Sequence, residues 1–90
     1  MSDEMSSKIK AEFDNAVKQA NNLPNQPPEV LLEMYGLYKQ ATLGDVTGKK
    51  PGRINLKARY KYEAWASRKG MSQENAMQTY VDLIHKLKNP

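Results

Sequence analysis

Breaks rich in proline, glycine and asparagine divide this chain into four stretches, and in each stretch apolar residues recur every three or four positions. That period marks an amphipathic helix, whereas a strand would alternate at every second residue. Ile9, Phe13, Ala16, Val17, Ala20 and Leu23 trace the first stripe. The run Leu23-Pro24-Asn25-Gln26-Pro27-Pro28 ends it near Asn21 and Asn22, because proline lacks an amide donor and restricts the residue before it. A second helix is expected from Pro28 or Glu29 to about Thr42, with Leu31, Met34, Tyr35 and Tyr38 on it; proline suits a first turn, and a carboxylate suits the positive helix end. Residues 43–55 contain Gly44, Gly48, Pro51 and Gly52 and read as a long loop. In a small domain such a loop usually serves a ligand or moves. Asn55 is a candidate cap for a third helix, with Ala58, Tyr62 and Trp65 on one face and Gly70 at its end. Ser72 can cap a fourth, which carries Ala76, Met77, Tyr80, Val81, Leu83, Ile84 and Leu87. No alternating segment is present, so the expected class is all-α, four helices of 12 to 17 residues.

A chain of 90 residues supports one core. With a mean hydropathy of −0.81 and no apolar run near the roughly 20 residues that span a bilayer, no integral membrane association is expected. Met1 to Lys10 lacks an apolar stretch, so a secretory signal is not expected and a cytoplasmic location is. With no cysteine, disulfides, thiolate metal ligation and a cysteine nucleophile are excluded. Catalysis is poorly supported. The one histidine, His85, stands by Lys86 and Lys88 and reads as a solvated side chain, while Glu12 and Asp14, two apart on a helix, point to different sides. No glycine-rich phosphate loop or clustered metal ligands are present, so no enzyme, cofactor or metal is expected.

Charge is unevenly placed. Between Lys39 and Lys69 nine Lys/Arg face only Asp45 and Glu63, a local charge of +7 in a chain of net charge +4. An anionic partner follows, which could be phosphate, nucleic acid or an acidic membrane surface. Tyr35, Tyr38 and Lys39 sit at i, i+3 and i+4 and share a face of the second helix. Lys57 and Lys61 lie one turn apart beside the stripe of Ala58, Tyr62 and Trp65. Two basic rims beside aromatic faces suit a ligand that is part phosphate and part planar ring. The plainer alternative is core tyrosines with wet hydroxyls and lysines that snorkel over apolar side chains.

The block Tyr35-Gly36-Leu37-Tyr38-Lys39-Gln40-Ala41-Thr42-Leu43-Gly44-Asp45 resembles the acyl-CoA-binding protein family. So, in order and spacing, do Phe13-Asp14-Asn15-Ala16, Lys50-Pro51-Gly52, Lys61-Tyr62-Glu63-Ala64-Trp65, Lys69-Gly70-Met71-Ser72 and Ala76-Met77-Gln78-Thr79-Tyr80-Val81. The match covers about residues 8–88, behind an N-terminal extension of residues 1–7. The resemblance implies a four-helix, up-down-down-up bundle that binds, sequesters and transports long-chain fatty-acyl-CoA esters inside the cell without transforming them. By position, Tyr35, Lys39 and Lys61 match residues that engage the nucleotide 3′-phosphate, and Tyr38 matches the aromatic residue beside the adenine. Lys57 and Tyr80 match further headgroup contacts, with Gly36 and Leu37 inside the contact segment. Phe13, Ala16, Val17, Leu31 and Leu32 fall where the family lines its acyl groove. Implied partners are long-chain acyl-CoA and, transiently, the enzymes that use it, with no nucleic acid and a monomeric protein. Asn21 replaces a headgroup lysine of some members, and Tyr62 replaces a common second tryptophan, with its polar tip expected in water. The competing readings are a basic helical module for nucleic acid and a protein-interaction domain of the same fold without a ligand.

Overall fold

A computed structural model describes residues 3–89 and contains four helices, with no strand among the described residues. They are α1 (Asp3–Ala20), α2 (Pro28–Leu43), α3 (Leu56–Ala66) and α4 (Gln73–Lys88). Of the expected extension, Met1 and Ser2 lie outside the described residues, and residues 3–7 continue α1.

The helix ends follow local chemistry. Beyond α1, the amides of Asn21, Asn22 and Leu23 bond three residues back, tightening a last turn that the prolines then stop. Pro28 opens α2, and Gly44, at φ 84°, closes it by donating its N–H to the Gln40 carbonyl. The Asn55 side chain accepts the Ala58 N–H at 3.2 Å, and the Ser72 hydroxyl accepts that of Asn75 at 3.0 Å. Gly70 does not end α3. The helix stops at Ala66, and Arg68 and Lys69 make three-residue turns before Gly70, at φ 92°, reverses the chain. At 11 and 18 residues, α3 and α1 fall just outside the expected lengths.

The topology is up-down-down-up. Short connections, 21–27 and 67–72, reverse direction, whereas residues 44–55 carry the chain back along the molecule so that α3 runs parallel to α2. Packing proceeds in the order α1, α4, α2, α3, giving a flattened molecule of 44 × 32 × 16 Å. The core belongs to three helices. Phe13 and Ala16 of α1, Leu37 and Ala41 of α2, and Ala76, Tyr80, Val81 and Ile84 of α4 bury one another. From α3 only Trp65 is buried.

α3 is therefore held by other means. Gly36 lets α2 approach the α3 backbone, since a Cβ there would lie 2.8 Å from the Ala64 carbonyl carbon. The Trp65 indole donates to the Gly44 carbonyl at 2.7 Å, and the Tyr62 hydroxyl, at the surface, donates to the Gly48 carbonyl at 3.0 Å, tying that phenol to the loop. Lys50 pairs with Glu63 at 2.7 Å. Gln40, 1 % exposed, donates to Asp45 at 2.9 Å and to the Met71 carbonyl at 2.7 Å, joining the start of the loop to the α3–α4 turn.

Candidate functional site

The parallel α2–α3 pair leaves a groove of about 480 Å³, a size typical of small-molecule sites. Its walls are Pro28, Leu31, Leu32 and Tyr35 from α2, and Lys57, Tyr60 and Lys61 from α3. These α3 residues recur at i, i+3 and i+4, so one face of that helix fills one wall. A second hollow of about 350 Å³ adjoins the first, sharing Tyr35, Lys57 and Lys61 and adding Asn55 and Ala58. The groove is thus apolar along Leu31 and Leu32 and cationic where it meets the second hollow.

At that end two ammonium groups bracket one phenol. Lys61 Nζ lies 4.9 Å from the Tyr35 ring centre, and Lys39 Nζ lies 5.9 Å from the same ring and 4.9 Å from that of Trp65. Such contacts orient the lysines without neutralising them. Among the described residues no carboxylate pairs with Lys39, Lys57 or Lys61. Glu63, the acid nearest in sequence, is engaged by Lys50 and Arg59, and the Lys50 hydrogen bond holds its carboxyl below the ordinary range. Two cations at this phenol, with Lys57 beside them in the lining of both hollows, are chemically suited to pair with a multiply charged anion.

The expected site residues separate into groups. Tyr35, Lys39, Lys57 and Lys61 come together with Leu31 and Leu32. Tyr38 and Tyr80 form a second aromatic cluster with Phe13: the Tyr38 ring stacks on Phe13 at 6.0 Å, and Tyr80 meets Phe13 edge-on at 5.1 Å. Tyr38 is exposed, whereas Tyr80 is buried, and burial followed by the neighbouring Tyr38 raises the Tyr80 phenol above its ordinary value of 10.0. Gly36 faces α3 backbone, and Leu37, Phe13 and Ala16 lie in the core with Val17 packed against them, so none of these five lines the α2–α3 groove. Asn21 is exposed in the turn after α1, and His85 is exposed on α4 beside Glu12 and Gln19, away from the groove. Pro28 and Tyr60 belong to the groove without having been singled out; the spacing of Tyr60 from Lys57 and Lys61 was the available signal.

Comparison with known proteins agrees with this architecture. A family model described as "Acyl CoA binding protein" matches residues 10–84. The chain is 50% identical over 76 residues to the acyl-CoA-binding protein of Saccharomyces cerevisiae, covering 83% of this chain and 87% of that one. The crystal structure of Oryza sativa acyl-CoA-binding protein 2 superposes with a TM-score of 0.87 at 43% identity, over 89% of this chain and 90% of that one. The solution structure of the acyl-CoA-binding protein from Babesia bovis gives 0.73 at 42% identity, over 86% and 90%.

Proposed function

The chain belongs to the acyl-CoA-binding protein family, and from that premise we propose that it binds and carries long-chain fatty-acyl-CoA esters without transforming them. One observation carries the reading: the cations Lys39, Lys57 and Lys61 converge with Tyr35 at one end of a groove whose other end is lined by Leu31 and Leu32. In this reading Tyr35, Lys39 and Lys61 take the nucleotide 3′-phosphate, Lys57 takes neighbouring phosphate charge, and Tyr38 and Tyr80 receive the adenine side of the headgroup. The acyl chain lies along Leu31, Leu32 and Tyr60.

The two ends do different work. Withdrawing a 16-carbon chain from water contributes roughly 0.8 kcal/mol per CH₂, on the order of 10 kcal/mol before ordering and association costs. A charge-assisted phosphate contact is worth only about 1.5–3 kcal/mol, which suffices to select a coenzyme A ester over a free acid of equal chain length. Phenols and ammonium groups supply recognition here. In this reading the ester leaves as it came. Among the described residues no helix is long and apolar enough to cross a membrane.

Titration calorimetry with palmitoyl-CoA, coenzyme A and palmitate tests the proposal. Strong binding of palmitoyl-CoA alone is expected. Equal affinity for all three would remove both the chain and the phosphate as determinants.

A further inference from the structure

Outside the groove, the most unusual surface is the junction of the long loop with α3. Ile54 is completely exposed and Leu56, two residues on, is half-exposed. Neither lines the groove or the adjoining hollow. An isolated exposed aliphatic residue is ordinary. Here, however, the segment 46–62 holds Lys49, Lys50, Arg53, Lys57, Arg59 and Lys61 and no acid at all. Lys50 and Arg59 are engaged by Glu63, which leaves Lys49, Arg53 and Lys57 without an ion-pair partner among the described residues. An aliphatic tip ringed by unpaired cations has the composition of an interfacial anchor, in which insertion and charge attraction each supply part of the hold.

We propose that the Ile54–Leu56 corner is a docking face for an anionic lipid bilayer, with Ile54 entering the headgroup region and Lys49, Arg53 and Lys57 meeting lipid phosphates and carboxylates. Charge complementarity selects the bilayer, and the exposed isoleucine distinguishes it from nucleic acid, which offers phosphates but no apolar interior to receive that side chain. Tyr62, Trp65, Lys50 and Arg59 all tie the loop to α3, so Ile54 projects from a braced corner. Docking does not depend on acyl-CoA. If the ligand reading also holds, docking brings Lys57, and with it the groove mouth, against the membrane.

Flotation of the ligand-free protein with phosphatidylcholine vesicles, with and without phosphatidylserine, tests the proposal. Association is expected only with phosphatidylserine, and it falls as salt rises. Ile54→Ser should weaken it roughly tenfold, and Lys49→Gln or Arg53→Gln by about fivefold each. Because the chain has no cysteine, an environment-sensitive dye placed at Ile54→Cys should shift to the blue on these vesicles, while the same dye at Ser7→Cys, on α1, should not. Palmitoyl-CoA calorimetry and circular dichroism of Ile54→Ser should match the parent, separating a docking defect from a folding or ligand defect. Equal binding to pure phosphatidylcholine, or a dye at 54 that stays in water, overturns the proposal. So does Ile54→Ser binding vesicles as well as the parent, which would reduce the corner to a general polyanion patch.

Discussion

Gly36 uses the absence of a side chain to bring α2 onto the backbone of α3. Alanine there would gain about 1 kcal/mol of helix propensity, but its Cβ would strike the Ala64 peptide, which cannot swing aside as a flexible side chain can. With overpacking costing about 1–3 kcal/mol, Gly36→Ala is expected to lower stability by about 1 kcal/mol in urea unfolding. A rise in stability would mean that the two helices part freely. For the candidate site, Lys39→Ala and Lys61→Ala should each weaken palmitoyl-CoA binding by roughly ten- to a hundredfold, the worth of one charge-assisted contact. The loss should be much smaller for the ester of dephospho-CoA, as calorimetry can measure, because the phosphate they are proposed to hold is missing there. At this scale the sequence was legible where spacing had one solution. Tyr35 and Lys39 on one helix, and Lys57 and Lys61 on the next, could each be placed on a shared rim from their periods, but that the two rims face each other came only with the packing of α2 on α3. Tyr60 could not be so placed, because α3 is polar on nearly every side, and a stripe through Ala58, Tyr62 and Trp65 satisfies the period as well as one through Lys57, Tyr60 and Lys61. The first stripe meets the loop, and the second meets the groove. Leu37 and Phe13 were harder still, since an apolar residue beside a binding motif and an apolar residue in the core look the same until the neighbouring helix is in place.

Among the helices, α3 is the shortest and contributes a single buried side chain to packing. Its persistence leans on its cap and on the loop that braces it. Isolated helices of such length are marginal in water. Asn55→Ala removes the bond to the Ala58 amide and should cost about 1 kcal/mol. Its effect on ligand affinity should be proportionately larger than that of capping loss at Ser72→Ala, because α3 forms a groove wall and α4 does not. Parallel melting curves and palmitoyl-CoA titrations of the two variants check this; equal affinity losses would deny α3 its special place. Helix starts were readable because Pro28, Asn55 and Ser72 act within one turn. The end of α3 was not. Gly70 marks the reversal of the chain, but the helix had already given way to tighter turns after Ala66.

Across the whole molecule, the contacts that fix α3 and its loop include two carboxylates. Asp45 accepts the Gly70 amide and the Gln40 side chain, and these bonds, aided by Lys69, hold its carboxyl below its ordinary value of 3.8. Glu63 is held below 4.5, first by its hydrogen bond from Lys50. A carboxylate that is more acidic folded than unfolded binds its proton less readily in the native state, so the unfolded chain takes up protons first as pH falls. Their stabilisation is therefore complete above the ordinary carboxylate values and is lost as pH drops through the lowered folded values. Urea unfolding along a descending pH series should show this decline, and Asp45→Asn should flatten it. Sequence alone pointed to the four helices and the long connection, but not to the order α1, α4, α2, α3, which depends on which apolar faces find one another. That order leaves the indole of Trp65, the chain's one tryptophan, bonded to the Gly44 carbonyl at 2.7 Å where loop, α2 and α3 meet. A lone indole proton gives one isolated resonance in a nuclear magnetic resonance spectrum. Its lifetime against deuterium is thus a built-in clock for how often the loop lifts from the helix it braces.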